Sequence, residues 1–164
     1  MMDVNATQLA GVLSFGIAAI ACYSAWRRGA AAARLWGWIS AIYVLMAADV
    51  LWGGRYMLSD AVRGGLRALE AYDDRRLWQS GLVVALLLVA ALVLWRARAG
   101  LGPRAVWLSL LAPVFFLLEA TSLHAIDAVF YHRVGPLLGI GWLWVGLAVL
   151  TTVCARRAVR TRRP

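Results

Sequence analysis

Five long apolar runs divide the sequence, and each has about the length of a helix that crosses a lipid bilayer. About 20 apolar residues span the hydrocarbon core, where every backbone polar group must find its hydrogen-bond partner inside the protein. The runs cover residues 9–26, 35–52, 77–95, 105–130 and 137–155. The sequence therefore predicts an all-α, polytopic integral membrane protein, a single domain over residues 1–164 built as a bundle of five transmembrane helices.

The composition favours a membrane protein and argues against a soluble one. Hydrophobic residues make up 63% of the chain and charged residues 15%, against about 45–50% and about 25% in soluble domains. The basic residues are all arginine, which is typical of a GC-rich bacterial genome and so indicates the bacterial inner membrane. The arginines stand in short clusters between apolar runs and no nucleic-acid-binding motif is present, so nucleic acid is not an expected partner.

The distribution of arginines predicts the orientation of the chain. Three lie in residues 27–34, three in residues 96–104 and five in the tail, residues 156–164. The other six lie in the two remaining loops, five of them beside four acidic residues. Because short arginine-rich loops stay on the cytoplasmic side, we expect the N-terminus outside and the tail inside. The basic cytoplasmic tail is also expected to attract anionic lipids.

The second loop, residues 53–76, is the only long polar segment, and its pattern predicts an amphipathic helix on the outer membrane surface. Its apolar residues recur with a helical period: Met57, Leu58, Ala61, Val62, Leu66 and Leu69. The pairs Asp60/Arg63 and Arg67/Glu70 would lie on the opposite side of such a helix. A helix with one apolar and one charged face lies in the membrane interface.

Small residues recur every four positions in the first span, at Ser14, Ala18 and Cys22. Such a stripe allows close approach of a second helix, and it predicts a docking face for a helix–helix partner. Cys22 and Cys154 are far apart in the sequence and form no CxxC or metal-ligand spacing, so they are expected to be reduced packing residues.

Polar and ionisable residues gather in the second half of the fourth span, which is expected to stay helical to Tyr131. They are Glu119, Ser122, His124, Asp127 and Tyr131. At 100° per residue His124, Asp127 and Tyr131 share one face, while Glu119 is offset by about 80° from Asp127. Charged side chains inside a membrane are costly and mark functional sites. We therefore predict a site at the outer end, completed by Asp49 and Arg55 and by Arg75 and Arg76 before the third span.

These residue types suit three kinds of chemistry. Imidazole and carboxylates bind divalent metals, so Glu119, His124 and Asp127 are candidate metal ligands. The same three side chains could act as catalytic acids or bases, because a carboxylic acid in a low dielectric has a raised pKa. Arg55, with the paired arginines before the third span, could hold the phosphate of a lipid-like ligand.

Three hypotheses about function follow. The first is a polar site that opens to the outer leaflet and binds a metal or an anionic lipid-like ligand, with enzymatic activity left open. The second is a proton-coupled transporter in which Glu119 and Asp49 load and release protons. The third is a non-catalytic accessory or assembly subunit that docks through the first span. No GxSxG, HExxH or P-loop motif occurs to favour a known enzyme class.

Overall fold

The computed structural model describes residues 5–53, 75–99, 104–120 and 131–161, which are mostly helical. The helices are α1 (Ala6–Arg27), α2 (Ala33–Trp52), α3 (Arg75–Ala99), α4 (Arg104–Ser109), α5 (Leu111–Ala120) and α6 (Gly139–Arg160). A short antiparallel hairpin, β1 (Arg133–Val134) and β2 (Leu137–Leu138), precedes α6. The predicted surface helix of the second loop lies outside the described residues.

Three helices, α1, α2 and α6, are long and apolar enough to cross a membrane. The apolar parts of the third and fourth predicted spans are shorter in the described residues, covering Val84–Arg96 and Arg104–Phe115. A helical membrane protein is thus supported, whereas the count of five crossings stays a prediction.

Helix α1 begins earlier than the apolar run that predicts it. The Asn5 carboxamide oxygen accepts from the Gln8 backbone N–H at 2.8 Å, and the Gln8 side-chain oxygen accepts from the Asn5 N–H at 3.0 Å. This reciprocal pair is a capping box, and it satisfies two backbone donors that the first helical turn leaves open. The polar residues ahead of the first apolar run therefore belong to the helix.

The core lies mainly between α1, α2 and α6, and Val106 of α4 and Ala112 of α5 are buried in it as well. Phe15 of α1 is at its centre, with ring centroids 5.8 Å from Tyr43 of α2 and 5.7 Å from Trp144 of α6. Two polar contacts join the helices inside this core: the Tyr43 and Thr151 hydroxyls lie 2.7 Å apart, and the Ser40 hydroxyl donates to the Ala19 carbonyl at 2.9 Å.

The small-residue stripe of the first span lies mostly inside this core. Ala18 and Cys22 are fully buried, and Ser14 is partly exposed with its hydroxyl bonded to the Gly11 carbonyl. The stripe thus permits close packing of α1 within its own chain, so the predicted docking face is already covered at two of its three positions. Cys22 and Cys154 are both buried free thiols, as expected.

Large apolar side chains cover the outside of the bundle. On α1 the exposed large aliphatic side chains follow a single face, and they are Leu9, Leu13, Ile17 and Ile20. Helix α3 is more exposed still, since among its described side chains only Ala90 and Val93 are buried. Aliphatic side chains turned outward on helices of this length form a surface suited to lipid chains.

The fourth predicted span is divided at Leu110 into α4 and α5. Pro113 has no N–H to donate to the Ser109 carbonyl, and its ring would clash with that carbonyl. The Ser109 hydroxyl also donates to the Ala105 carbonyl at 2.8 Å, a contact that bends helices. The break in the helix thus lies at Leu110, three residues before Pro113. Helix α5 is described over Leu111–Ala120, residues 121–130 lie outside the described residues, and Tyr131 lies in a turn. The helix expected to run to Tyr131 therefore does not include that residue.

The hairpin before α6 follows from its two turn residues. Val134 pairs with Leu137, which leaves Gly135 and Pro136 as a two-residue connection. Gly135 has a φ of 64°, the left-handed conformation required at the first central position of a type II′ turn, and Pro136 supplies a negative φ at the second.

Candidate functional site

The two ends of the three-helix core differ in charge. Arginines stand where α1 ends, where α2 begins and where α6 ends, and we call this the basic end: Arg27, Arg28, Arg34, Arg156, Arg157 and Arg160. The opposite end, where α1 and α6 begin and α2 ends, is the polar end. It carries uncharged hydrogen-bonding side chains together with Asp49, and Arg133 of the hairpin lies just before α6.

A cleft of about 270 Å³ opens at the polar end and is called the polar-end cleft below. Its walls are formed by Asn5, Thr7, Gln8, Val50, Leu51, Trp52, Gly53, Tyr131, Leu138, Ile140 and Trp144. Hydrogen-bonding groups come from the start of α1 and from Tyr131, while aliphatic and aromatic groups come from α2 and α6. The cleft is therefore amphipathic and lies where three chain segments meet.

Short contacts between α1 and the hairpin hold the cleft together. The Leu138 N–H donates to the Thr7 hydroxyl at 3.1 Å, and the Trp142 indole N–H donates to the Val134 carbonyl at 2.9 Å. Gly141 allows α6 to approach α1, because a Cβ atom there would lie 2.8 Å from Cγ2 of Thr7. The cleft walls are thus fixed to each other by backbone and side-chain bonds.

Asp49 lies in the last turn of α2, one residue before the cleft lining begins at Val50. Its side chain is half-buried and one carboxylate oxygen, Oδ2, is fully buried. Its carbonyl accepts from the Gly53 N–H at 2.7 Å, and Gly53 has a φ of 66°, which ends the helix in the left-handed conformation typical of glycine. Helix α2 consequently ends beside the cleft.

Of the predicted site residues, Tyr131 lines the polar-end cleft and Asp49 is the neighbour of its lining in sequence. Glu119 is the second-last residue of α5, and Arg75 and Arg76 begin α3; the side chains of these three lie outside the described part of the molecule. The remaining predicted residues, Arg55, Ser122, His124 and Asp127, also fall outside it. The shared face of His124, Asp127 and Tyr131 therefore stays a prediction.

Within the described residues, no group of three or more His, Cys, Asp or Glu side chains is placed to hold a metal ion. All three predicted metal ligands, Glu119, His124 and Asp127, have side chains outside that part of the chain. The hypothesis of a metal site therefore rests on the sequence alone.

Sequence reasoning missed several residues of the cleft, above all Asn5, Gln8 and Trp144. The first two had a detectable signal, because Asn followed three residues later by Gln at the start of an apolar run has the pattern of a capping box. Trp144 has no such signal, since a tryptophan near the end of a span is expected at the membrane interface whether or not it lines a cleft.

Comparison with protein-family profiles, with curated proteins and with solved structures found no match. The function is therefore argued from the residues of the chain itself.

Proposed function

We propose that this protein is a small multi-pass membrane protein that binds an amphipathic, anionic, lipid-like ligand in the polar-end cleft. The observation that carries the proposal is the lining of the cleft, where hydrogen-bonding side chains and apolar side chains face the same space. Ligand sites are mostly apolar, with a few polar groups that set the orientation of the ligand.

The apolar part of the ligand would contact Val50, Ile140 and Trp144, which lie deeper in the bundle and are buried. Its polar part would lie toward Asn5, Gln8 and Tyr131, which are partly or largely exposed. A ligand with a polar head and an apolar body matches this division, as molecules in a membrane interface do.

Positive charge for an anionic head would come from the arginines predicted for this site. Arg55 follows Gly53 of the cleft by two residues, and Arg75 and Arg76 begin α3. The planar guanidinium group forms paired hydrogen bonds with phosphate or carboxylate, which is why arginine is favoured at such sites.

A catalytic extension of the proposal assigns chemistry to Glu119, His124 and Asp127. His124 and Asp127 precede Tyr131 of the cleft by seven and four residues. Either they would bind a divalent metal together with Glu119, or they would transfer protons to and from the bound ligand.

The ligand proposal is tested by lipid analysis of the purified full-length protein extracted in native membrane discs. We expect one class of anionic lipid-like compound to be enriched over the bulk membrane. Leu51→Trp should expel it, because Leu51 lines the cleft but is exposed, so a larger side chain fills the cleft without disturbing the core. Leu45→Trp is the control on the same helix, also exposed and outside the cleft. Equal retention by both variants would refute the proposal.

The catalytic extension has a separate test. Elemental analysis of the purified protein, compared with His124→Ala and Asp127→Ala, should show a divalent metal that both variants lose. Absence of metal in the unmodified protein would remove the metal version and leave acid–base chemistry.

The two alternatives predict different outcomes. For a transporter, proton-coupled flux in proteoliposomes would fall with Glu119→Gln. For an accessory subunit, Glu119→Gln and Asp127→Asn would lower stability or retention of a partner protein, without any change in a bound ligand.

A further inference from the structure

A second cleft lies at the basic end, between α1 and α6, far from the proposed ligand site. Its volume is about 520 Å³, within the range of about 300–1,000 Å³ for small-molecule sites. Its lining residues come from one face of each helix: Ile17, Ile20, Ala21, Ser24, Arg28, Arg156, Val159 and Arg160. We call it the arginine cleft.

We propose that the arginine cleft binds one phospholipid with an anionic headgroup. The headgroup phosphate would lie between Arg28 of α1 and the pair Arg156 and Arg160 of α6, and an acyl chain would follow Ile17 and Ile20.

The positions of the three guanidinium groups follow from helix geometry. Arg156 and Arg160 are four residues apart, so they lie one above the other on the same face of α6. Arg28 caps α1, and its N–H donates to the Ser24 carbonyl at 3.0 Å, which holds it at the rim across from them. All three side chains are exposed, so a headgroup can reach them from the interface.

Helices α1 and α6 supply no acidic residue to neutralise the charge of these arginines. No Asp or Glu occurs between residues 4 and 48 or after residue 127 of the sequence, so α1 and α6 contain none. The two helix C-termini that meet here amount to about −0.5 charge each, which is much less than three full positive charges. The cleft is therefore strongly cationic, and an anion is the complementary ligand.

The apolar wall selects a lipid over a soluble anion. Ile17 and Ile20 lie below the rim and are exposed by 55% and 68%. Ile17 precedes Arg28 by eleven residues, about 16 Å along a helix axis, close to the roughly 15 Å of one leaflet of a hydrocarbon core about 30 Å thick. A cationic rim above an apolar channel of this length fits one phospholipid of one leaflet.

The proposal differs from general attraction of anionic lipids by a basic tail. The strength of a diffuse attraction depends on how many arginines lie at this end. The affinity for one bound lipid depends instead on the particular arginines that line the cleft. The chain offers a matched control, since Arg27, Arg34 and Arg157 are also exposed at the basic end but do not line the cleft.

The test compares two charge-matched variants of the full-length protein, R28Q/R156Q/R160Q and R27Q/R34Q/R157Q. Each is purified in detergent, and native mass spectrometry follows the binding of phosphatidylglycerol, with phosphatidylcholine as the zwitterionic probe. Because one arginine near anionic lipid contributes a factor of about five in affinity, the cleft variant should bind phosphatidylglycerol about 100-fold more weakly. The unmodified protein and the control variant should each retain one phosphatidylglycerol and show weak phosphatidylcholine binding.

A third variant tests the contribution of the acyl chain independently of that of the headgroup. Ala21→Leu keeps all three arginines but narrows the apolar channel. It should therefore weaken phosphatidylglycerol binding, while inorganic phosphate should compete for the three arginines as it does in the unmodified protein. Circular dichroism in the same detergent checks that each variant stays helical. Equal losses in the two triple variants, equal binding of both phospholipids, or full displacement of the lipid by millimolar inorganic phosphate would each overturn the proposal.

Discussion

The core of α1, α2 and α6, to which α4 and α5 add buried side chains, is held together differently from helix α3. In the core, glycines allow close approach and hydroxyl groups bond across helices. Helix α3 contributes two buried aliphatic side chains, Ala90 and Val93, which pack on Leu111 and Val114. A cation–π contact between Arg96 and Trp107, at 5.7 Å, adds to these at the basic end.

The comparison shows which contacts define a membrane fold. Lipid chains are as apolar as leucine, so burying an aliphatic side chain against another helix hardly changes its environment. Close packing and polar pairs do distinguish protein from lipid, because lipid offers neither a fixed shape nor hydrogen-bond partners. The core has both features, and we expect mutations there to have larger effects than mutations in α3.

The largest effect is expected for Gly11→Ala. A Cβ atom at Gly11 would lie 2.7 Å from Cε3 and 2.9 Å from Cζ3 of Trp144, a ring wedged against Phe15. Overpacking of this kind costs about 1–3 kcal/mol, which exceeds the gain of up to about 1 kcal/mol in helix propensity. Unfolding in increasing dodecyl sulfate, followed by circular dichroism, measures the change. Gly16→Ala is the control, since a Cβ there meets nothing within 4 Å, and an equal loss in both variants would contradict the argument.

Gly141→Ala should destabilise the core by about 1–2 kcal/mol for the same reason. Here the clash is with Cγ2 of Thr7, at 2.8 Å, and it can be removed separately. Thr7→Ser deletes that methyl group and keeps the hydroxyl that accepts from Leu138. The double variant should recover most of the stability in the same unfolding assay. If it unfolds as early as Gly141→Ala alone, steric contact with Thr7 is not the cause.

Tyr43→Phe should lower stability by about 0.6 kcal/mol, the average for a hydrogen bond between membrane helices, and by no more than about 1.7 kcal/mol. It removes the 2.7 Å contact with Thr151 and retains the ring that packs on Phe15. A double-mutant cycle with Thr151→Val isolates the pair from other effects of each substitution. Tyr23→Phe serves as the control because Tyr23 is exposed on α1, and a coupling energy near zero would show that the pair does not hold the helices together.

The smallest effects are expected in α3. Val93→Ala should cost less than about 1 kcal/mol, and Leu88→Ala, at an exposed position, should change stability by less than about 0.5 kcal/mol. Both are measured in the same dodecyl sulfate titration. A loss at Val93 as large as that of Gly11→Ala would break the distinction between the core and helix α3.

Much of the fold could be predicted from the sequence, because crossing a membrane imposes local requirements. Apolar runs of sufficient length identified α1, α2 and α6, and the tight Gly135–Pro136 connection follows from turn chemistry. The position of the break at Leu110 was less accessible, since it depends on Pro113 together with the bond of the Ser109 hydroxyl. Which helices are neighbours was not predictable either, and so neither was the Tyr43–Thr151 pair.

The candidate site was predictable only in part. An ionisable residue in an apolar run is conspicuous in a sequence, which is how Asp49 and Tyr131 were found near the cleft. Asn5 and Gln8 reach the same end through the fold of the chain, because α1 and α6 begin side by side there. Residues brought together from distant segments leave no spacing pattern that a single sequence can reveal.

The bond between Thr7 and Leu138 joins residues 131 positions apart in the chain, and this separation sets the order in which the protein can assemble. Synthesis proceeds from the N-terminus, so α1 and α2 can pair early through Ser40 and Ala19, which are 21 residues apart. The face of α1 that receives α6 cannot pack on it until residues 139–160 have been made. A ribosome that stops before residue 138 would therefore leave Gly11, and the side of Phe15 that faces Trp144, turned toward lipid or toward an insertion factor that shields them.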